Sequence, residues 1–154
     1  MNKFKMQFGF SGGFSLVEIL IVLAILTILV LISISSFGKI GGSEALNASL
    51  VSTISVLNEA KSMAISSKDA SDYGVRIFSN KLITFKNSYG NENNEVDISN
   101  LVTISTSSGV GTDIIFNNVS GNTTAGGTIS ITVLSDPSKS GTIKIYPTGV
   151  IEKN

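Results

Sequence analysis

The sequence contains no cysteine and no histidine. Without cysteine there is no disulfide framework, no thiolate nucleophile and no cysteine-based metal site. Without histidine the chain also lacks the commonest general base and the commonest metal ligand. Charge is sparse, at 14%, and balanced, with 11 basic against 11 acidic side chains. That balance provides no basic footprint for nucleic acid, which is not expected as a partner. What remains shows no carboxylate pair, no nucleophile–base pair and no metal constellation. No catalytic residue, cofactor site or metal site is therefore expected, and the chain does not read as an enzyme. Proline is nearly absent too, occurring only as Pro137 and Pro147.

Against these gaps stands one long apolar stretch. From Ile19 to Ile34 only Thr27 and Ser33 are polar, and no charge falls between Glu18 and Lys39. As a helix at ~1.5 Å per residue, Phe14–Phe37 would extend roughly 36 Å, enough to cross a hydrocarbon core of about 30 Å. Glu18 is the odd residue, a carboxylate at the mouth of this run. An ionisable side chain there costs about 2.5–3.5 kcal/mol at mid-bilayer and marks a functional residue by default.

Two ordinary readings compete. In a secretory signal, Lys3 and Lys5 would form the basic region and Ser33-Ile34-Ser35 the small-residue cleavage site. The run is longer than the usual ~7–15 residues, and an acid at its mouth is atypical. A plain single-pass anchor would let Glu18 snorkel to the interface, but it leaves the Gly13-Phe14 junction unexplained.

Gly13-Phe14-Ser15-Leu16-Val17-Glu18, behind a short Lys-bearing leader, resembles the class III signal of type IV pilins and type II secretion pseudopilins. The resemblance implies that a prepilin peptidase cuts between Gly13 and Phe14 and methylates the new N-terminal Phe14. It implies that Glu18 then helps pack the subunit into a helical filament. Residues 1–13 would be the leader and 14–37 the membrane-spanning, filament-core helix. Many relatives have a proline where Ser35 stands, so any kink here must come from serines or glycines.

Gly38-Lys39-Ile40-Gly41-Gly42 reads as a bend or joint, with Ser43 as the N-cap of a second helical segment and Glu44 in its first turn. Leu46, Leu50, Ile54, Leu57 and Ala64 recur at helical spacing, with Lys61 interrupting the row, so the segment to about Ser67 is amphipathic. Residues 38–68 form this joint and second half-helix, and 69–154 a β-rich domain. Its expected strands are Val75–Phe78, Leu82–Phe85, Asp97–Ser105, Asp113–Phe116, Thr128–Leu134, Thr142–Tyr146 and Val150-Ile151. Asn87–Asn94, Gly109–Gly111, Gly121–Gly127 and Asp136–Gly141 are the expected separators, and Tyr146-Pro147-Thr148-Gly149 a turn. Asn91–Asp97 carries enough oxygen ligands for Ca²⁺, but lacks the spacing of a calcium loop and reads equally well as a solvated hairpin tip.

Glu59–Ile65 leading into Val75-Arg76-Ile77, Ile115-Phe116 with Gly127–Ile131, and Gly141–Ile145 with Gly149-Val150-Ile151 resemble the GspH/FimT minor pseudopilins. The implied fold is α+β and pilin-like, a long N-terminal helix packed on a mostly antiparallel sheet. Where relatives carry a charge after the last-turn glycine, this chain has Val150. The implied function is structural, as a minor subunit helping filament assembly start near the tip. Its partners would be prepilin peptidase, other pilin or pseudopilin subunits and inner-membrane lipid before assembly, with the globular part outside the cytoplasm. A pilin-like subunit capturing DNA or a surface, or a major filament subunit, are the alternatives.

Overall fold

The computed structural model describes residues 13–66, 68–90, 92–107, 112–123 and 126–154, with backbone alone at 32–40, 68, 92 and 93. The leader's Lys3 and Lys5 and the Gly109–Gly111 separator lie outside these residues. The chain divides into two compact units, Met1–Phe37 and Gly38–Asn154.

Helix α1 runs Leu16–Ile65. The expected break at Gly38–Gly42 is absent, because helix is assigned through all five residues. Gly42 serves packing here: a Cβ on it would lie 2.8 Å from Val133 Cγ1, so any larger residue would force Val133 or the helix to shift. Ser43 is consequently internal and not an N-cap; its Oγ accepts a hydrogen bond from Lys139 Nζ at 3.0 Å.

Among the described residues, eight strands follow a short 3-10 turn at Lys68–Ala70. They are β1 (Tyr73–Ile77), β2 (Lys81–Lys86), β3 (Glu92–Asp97), β4 (Val102–Thr106), β5 (Asp113–Phe116), β6 (Gly127–Val133), β7 (Asp136–Ile145) and β8 (Ile151–Lys153). They make two four-stranded sheets, ordered β3-β2-β1-β5 and β4-β6-β7-β8, with every pairing antiparallel.

The sequence pattern finds the β1–β2 hairpin, β5 and the final hairpin, and errs at three places. Asp97–Ser105 is two strands in different sheets. Ile98 turns inward, 7% exposed, with its N–H on Asn80 O at 2.8 Å, and Val102 N–H closes a turn on Ser99 O at 3.2 Å. The polar stretch before it belongs partly to β3, so Glu92–Asp97 is a strand and not a loop tip. Asp136–Gly141 likewise belongs to β7. Its pairing with β6 shifts register between Thr132 and Val133, and the bulge absorbs Pro137, on a stretch of β7 that β8 does not reach.

One core joins α1 to both sheets. Leu50, Val56, Leu57, Ala60 and Ala64 meet Tyr73, Val75, Ile77 and Leu82 from one sheet, and Ile129, Ile131, Val133, Ile143 and Ile145 from the other. The expected helical stripe is off in detail. Leu46 and Ile54 are only half-buried, whereas Thr53 is fully buried, its Oγ1 satisfied by Ser49 O at 2.7 Å. A threonine can sit inside a helix–sheet contact when its hydroxyl bonds back to the preceding turn.

Candidate assembly signal and the surfaces around it

The first helical hydrogen bond runs from Ile19 N–H to Ser15 O, 3.2 Å, which makes Ser15 the N-cap. Glu18 stands three residues later, in the first turn, so Ser15-x-x-Glu18 has the sequence of a capping box. A carboxylate there also faces the positive end of the helix dipole. Local chemistry thus explains why this position tolerates an acid, without explaining why it sits at the head of an apolar run.

Gly13 is open, with nothing within 4 Å of where a Cβ would project, and Phe14 is 80% exposed. The Gly13-Phe14 bond is accessible. Phe14, Glu18 and Val22 follow one another at four-residue intervals and, with Ile19 and Leu23, line a shallow apolar concavity. Among the described residues no cation pairs with Glu18. From Leu16 to Leu31 the large apolar side chains are all at least half exposed, and Thr27 hides its hydroxyl on Leu23 O at 2.7 Å. A helix apolar on all sides needs cover from lipid or from other helices. Among the described residues, no helix is long and apolar enough to cross a membrane; side chains 32–40, including Ser33, Ser35 and Lys39, are outside that set.

The possible calcium segment is organised differently from a loop. Glu95 lies on β3, where Lys81 Nζ holds its carboxylate at 2.9 Å, and Asn91 lies outside the described residues. Among the described residues no group of three or more acidic side chains is gathered for a metal.

A cluster invisible in the sequence covers the outer face of the first sheet. Arg76 and Asp113 sit opposite each other on β1 and β5 and form a bidentate ion pair. The guanidinium stacks on the Tyr89 ring, 3.6 Å from its centroid, while Tyr89 meets Phe78 and Phe85 at 6.4 and 6.3 Å. The hydrogen bonds to Asp113 hold Arg76 above its ordinary pKa, outweighing the opposing effect of burial. Lys81 is raised likewise, chiefly by its hydrogen bond to Glu95. Under this lid Ile83 and Phe85 are buried. The charges are mutually paired and the aromatic face is occupied, so the arrangement functions as a small second core.

Residues 6–34 match the family described as Prokaryotic N-terminal methylation motif. No curated protein matches the chain significantly. Among solved structures, the minor pseudopilin EpsH from the type 2 secretion system of Vibrio cholerae is similar at 17% identity and a TM-score of 0.57, over 71% of this chain and 95% of that one. The type IV minor pilin FimU of Pseudomonas aeruginosa is similar at 17% identity and a TM-score of 0.54, over 74% and 90%. At such identity the likeness is one of fold, and the α+β fold is pilin-like.

Proposed function

We propose that this chain, whose N-terminal methylation motif and pilin-like fold together support the pilin and pseudopilin family, is a minor filament subunit. It is cut by prepilin peptidase between Gly13 and Phe14, methylated on Phe14, and held in the inner membrane by residues 14–37 until assembly. Residues 1–13 are the discarded leader. Residues 38–68, followed by the β-rich 69–154, form the part that projects outward. A few copies near the filament tip help assembly start, in a type II secretion pseudopilus or a type IV pilus.

The observation that carries this reading is Glu18 among Phe14, Ile19, Val22 and Leu23, with no cation paired to it among the described residues. Cleavage creates an α-amine on Phe14 whose unperturbed pKa is about 7.7–8.0, and methylation preserves its charge. In a filament of packed apolar helices an unpaired carboxylate is costly, whereas one facing a neighbour's amine is compensated. The neighbour is another subunit, so a chain that keeps Glu18 sits beneath at least one other.

The test compares Glu18→Ala with Glu18→Gln. Glutamine retains the capping-box pattern, so a role in capping alone predicts that Glu18→Gln behaves as wild type. Pairing with a neighbour predicts that both variants insert and are cleaved normally, yet both are lost from sheared filaments. Subunit stoichiometry in those filaments tests the minor role, and finding this chain as the dominant repeating subunit would refute it.

A further inference from the structure

Two exposed leucines mark the end of the folded unit through which α1 enters. Leu101 precedes β4 and Leu134 sits in the β6–β7 turn, facing each other across the two strands. Leu134 N–H donates to Leu101 O at 2.9 Å. They are 47% and 58% exposed, and Leu101 Cδ1 lies 3.9 Å from the Cβ position of Gly41. Only three residues of chain lie between Gly41 and Phe37, the end of the proposed spanning segment, a reach of at most about 14 Å. Lys139, hydrogen-bonded to Ser43, lies at this end, and Asp136 begins the next strand.

We propose that Leu101 and Leu134 form an apolar foot that rests in the headgroup–acyl boundary of the bilayer while the chain is still membrane-held. The inference rests on the membrane-anchored reading given above. Lipid is the occupant because this end is tied by a few residues to the segment read above as the anchor, whose large apolar side chains from Leu16 to Leu31 are at least half exposed. The foot fixes the folded unit against the membrane surface, and leaving that surface on extrusion uncovers it.

The chain has no tryptophan, so single-tryptophan variants report position directly. The full chain is reconstituted into phosphatidylcholine vesicles with and without brominated phosphatidylcholine, as Leu134→Trp, Leu26→Trp and Thr148→Trp. Thr148 is exposed in the turn whose Gly149 lies against Lys61, about 30 Å along α1 from Gly41. Brominated lipid should quench Leu26→Trp and Leu134→Trp but leave Thr148→Trp bright. Adding Leu101→Ser to Leu134→Trp should weaken the quenching. If Leu134→Trp stays as bright as Thr148→Trp while Leu26→Trp is quenched, the foot is wrong and the anchor stands. If Leu26→Trp is not quenched either, the anchored reading fails and the foot with it. An emission shift of Leu134→Trp that follows protein density, without quenching, would assign the patch to a second copy and overturn the proposal.

Discussion

Val119 donates its backbone N–H to Ala64 O at 3.0 Å, and it does so from the left-handed region, with φ at 67°. Ala64 is in the last turn of α1, where carbonyls have no helical partner, so a loop between β5 and β6 caps the helix. A β-branched residue is a poor choice for that conformation. The side chain gains little in return, since Val119 is 68% exposed.

Val119→Gly should therefore stabilise the fold, by about 1 kcal/mol once the entropy glycine loses on folding is subtracted from the relieved strain. Val119→Pro should destabilise it, because proline cannot adopt this φ and removes the capping N–H. Denaturant titration of the detergent-solubilised chain reads both. A Val119→Gly chain less stable than wild type would mean that the isopropyl group makes a contact worth more than the strain.

The last turn makes a second case. Gly149 N–H closes on Tyr146 O at 2.8 Å with φ at 74°, and a Cβ on it would fall 2.0 Å from Gly121 O. Gly90 also has positive φ, at 118°, but open space around it. Gly149→Ala should cost more than Gly90→Ala, beyond the roughly 1–3 kcal/mol of backbone strain alone. Equal melting of the two variants would contradict the packing of this turn against Gly121.

Leu57 and Thr84 test the core from opposite directions. Leu57 is 0% exposed, and Leu57→Ala should cost about 2–5 kcal/mol. Thr84 faces the same core at 1% exposure, and its Oγ1 meets no donor or acceptor. Thr84→Val keeps the shape and removes the unmet hydroxyl, so it should add about 1 kcal/mol. A loss instead would show that the hydroxyl is satisfied.

Much of this fold is legible in residue order. The Gly13-Phe14 junction, the spacing to Glu18 and the apolar run are contiguous and need no tertiary information. Leu50, Leu57 and Ala64 follow from helical period, and Asp113–Phe116 from β-branched content between turn residues. The misses have a common cause, which is that a partner decided what the local sequence left open. Gly42 looks like a helix breaker until Val133 is seen against it. Asp136–Gly141 has the composition of a loop, but β6 supplies a strand to pair with. Ile83 and Phe85 sit on the face opposite Leu82 and Thr84, so an alternating strand should expose them. They are buried because Tyr89, from a loop after β2, folds back onto Arg76. No short-range pattern announces that stacking.

The Lys81–Glu95 pair predicts a pH dependence. Lys81 is raised in the fold above its ordinary value of 10.5, first by its hydrogen bond to Glu95. A raised lysine contributes stability that is complete below its unfolded value and is lost as pH climbs through the folded one. Lys81→Met should therefore melt lower than wild type at neutral pH, and the gap should close at alkaline pH beyond 10.5. The pair is largely solvated, so the gap should also shrink with added salt. A difference that persisted unchanged into strong alkali would show that the effect is not one of charge, and so owes nothing to the Lys81–Glu95 pair.

The most direct test is the intact mass of the chain extracted from membranes of cells that contain a prepilin peptidase. The account predicts a single mature species that has lost residues 1–13 and gained one methyl on the amine of Phe14. A chain still beginning at Met1 in those cells, or one beginning at Ser36 as an ordinary secretory signal would leave it, would contradict the assignment.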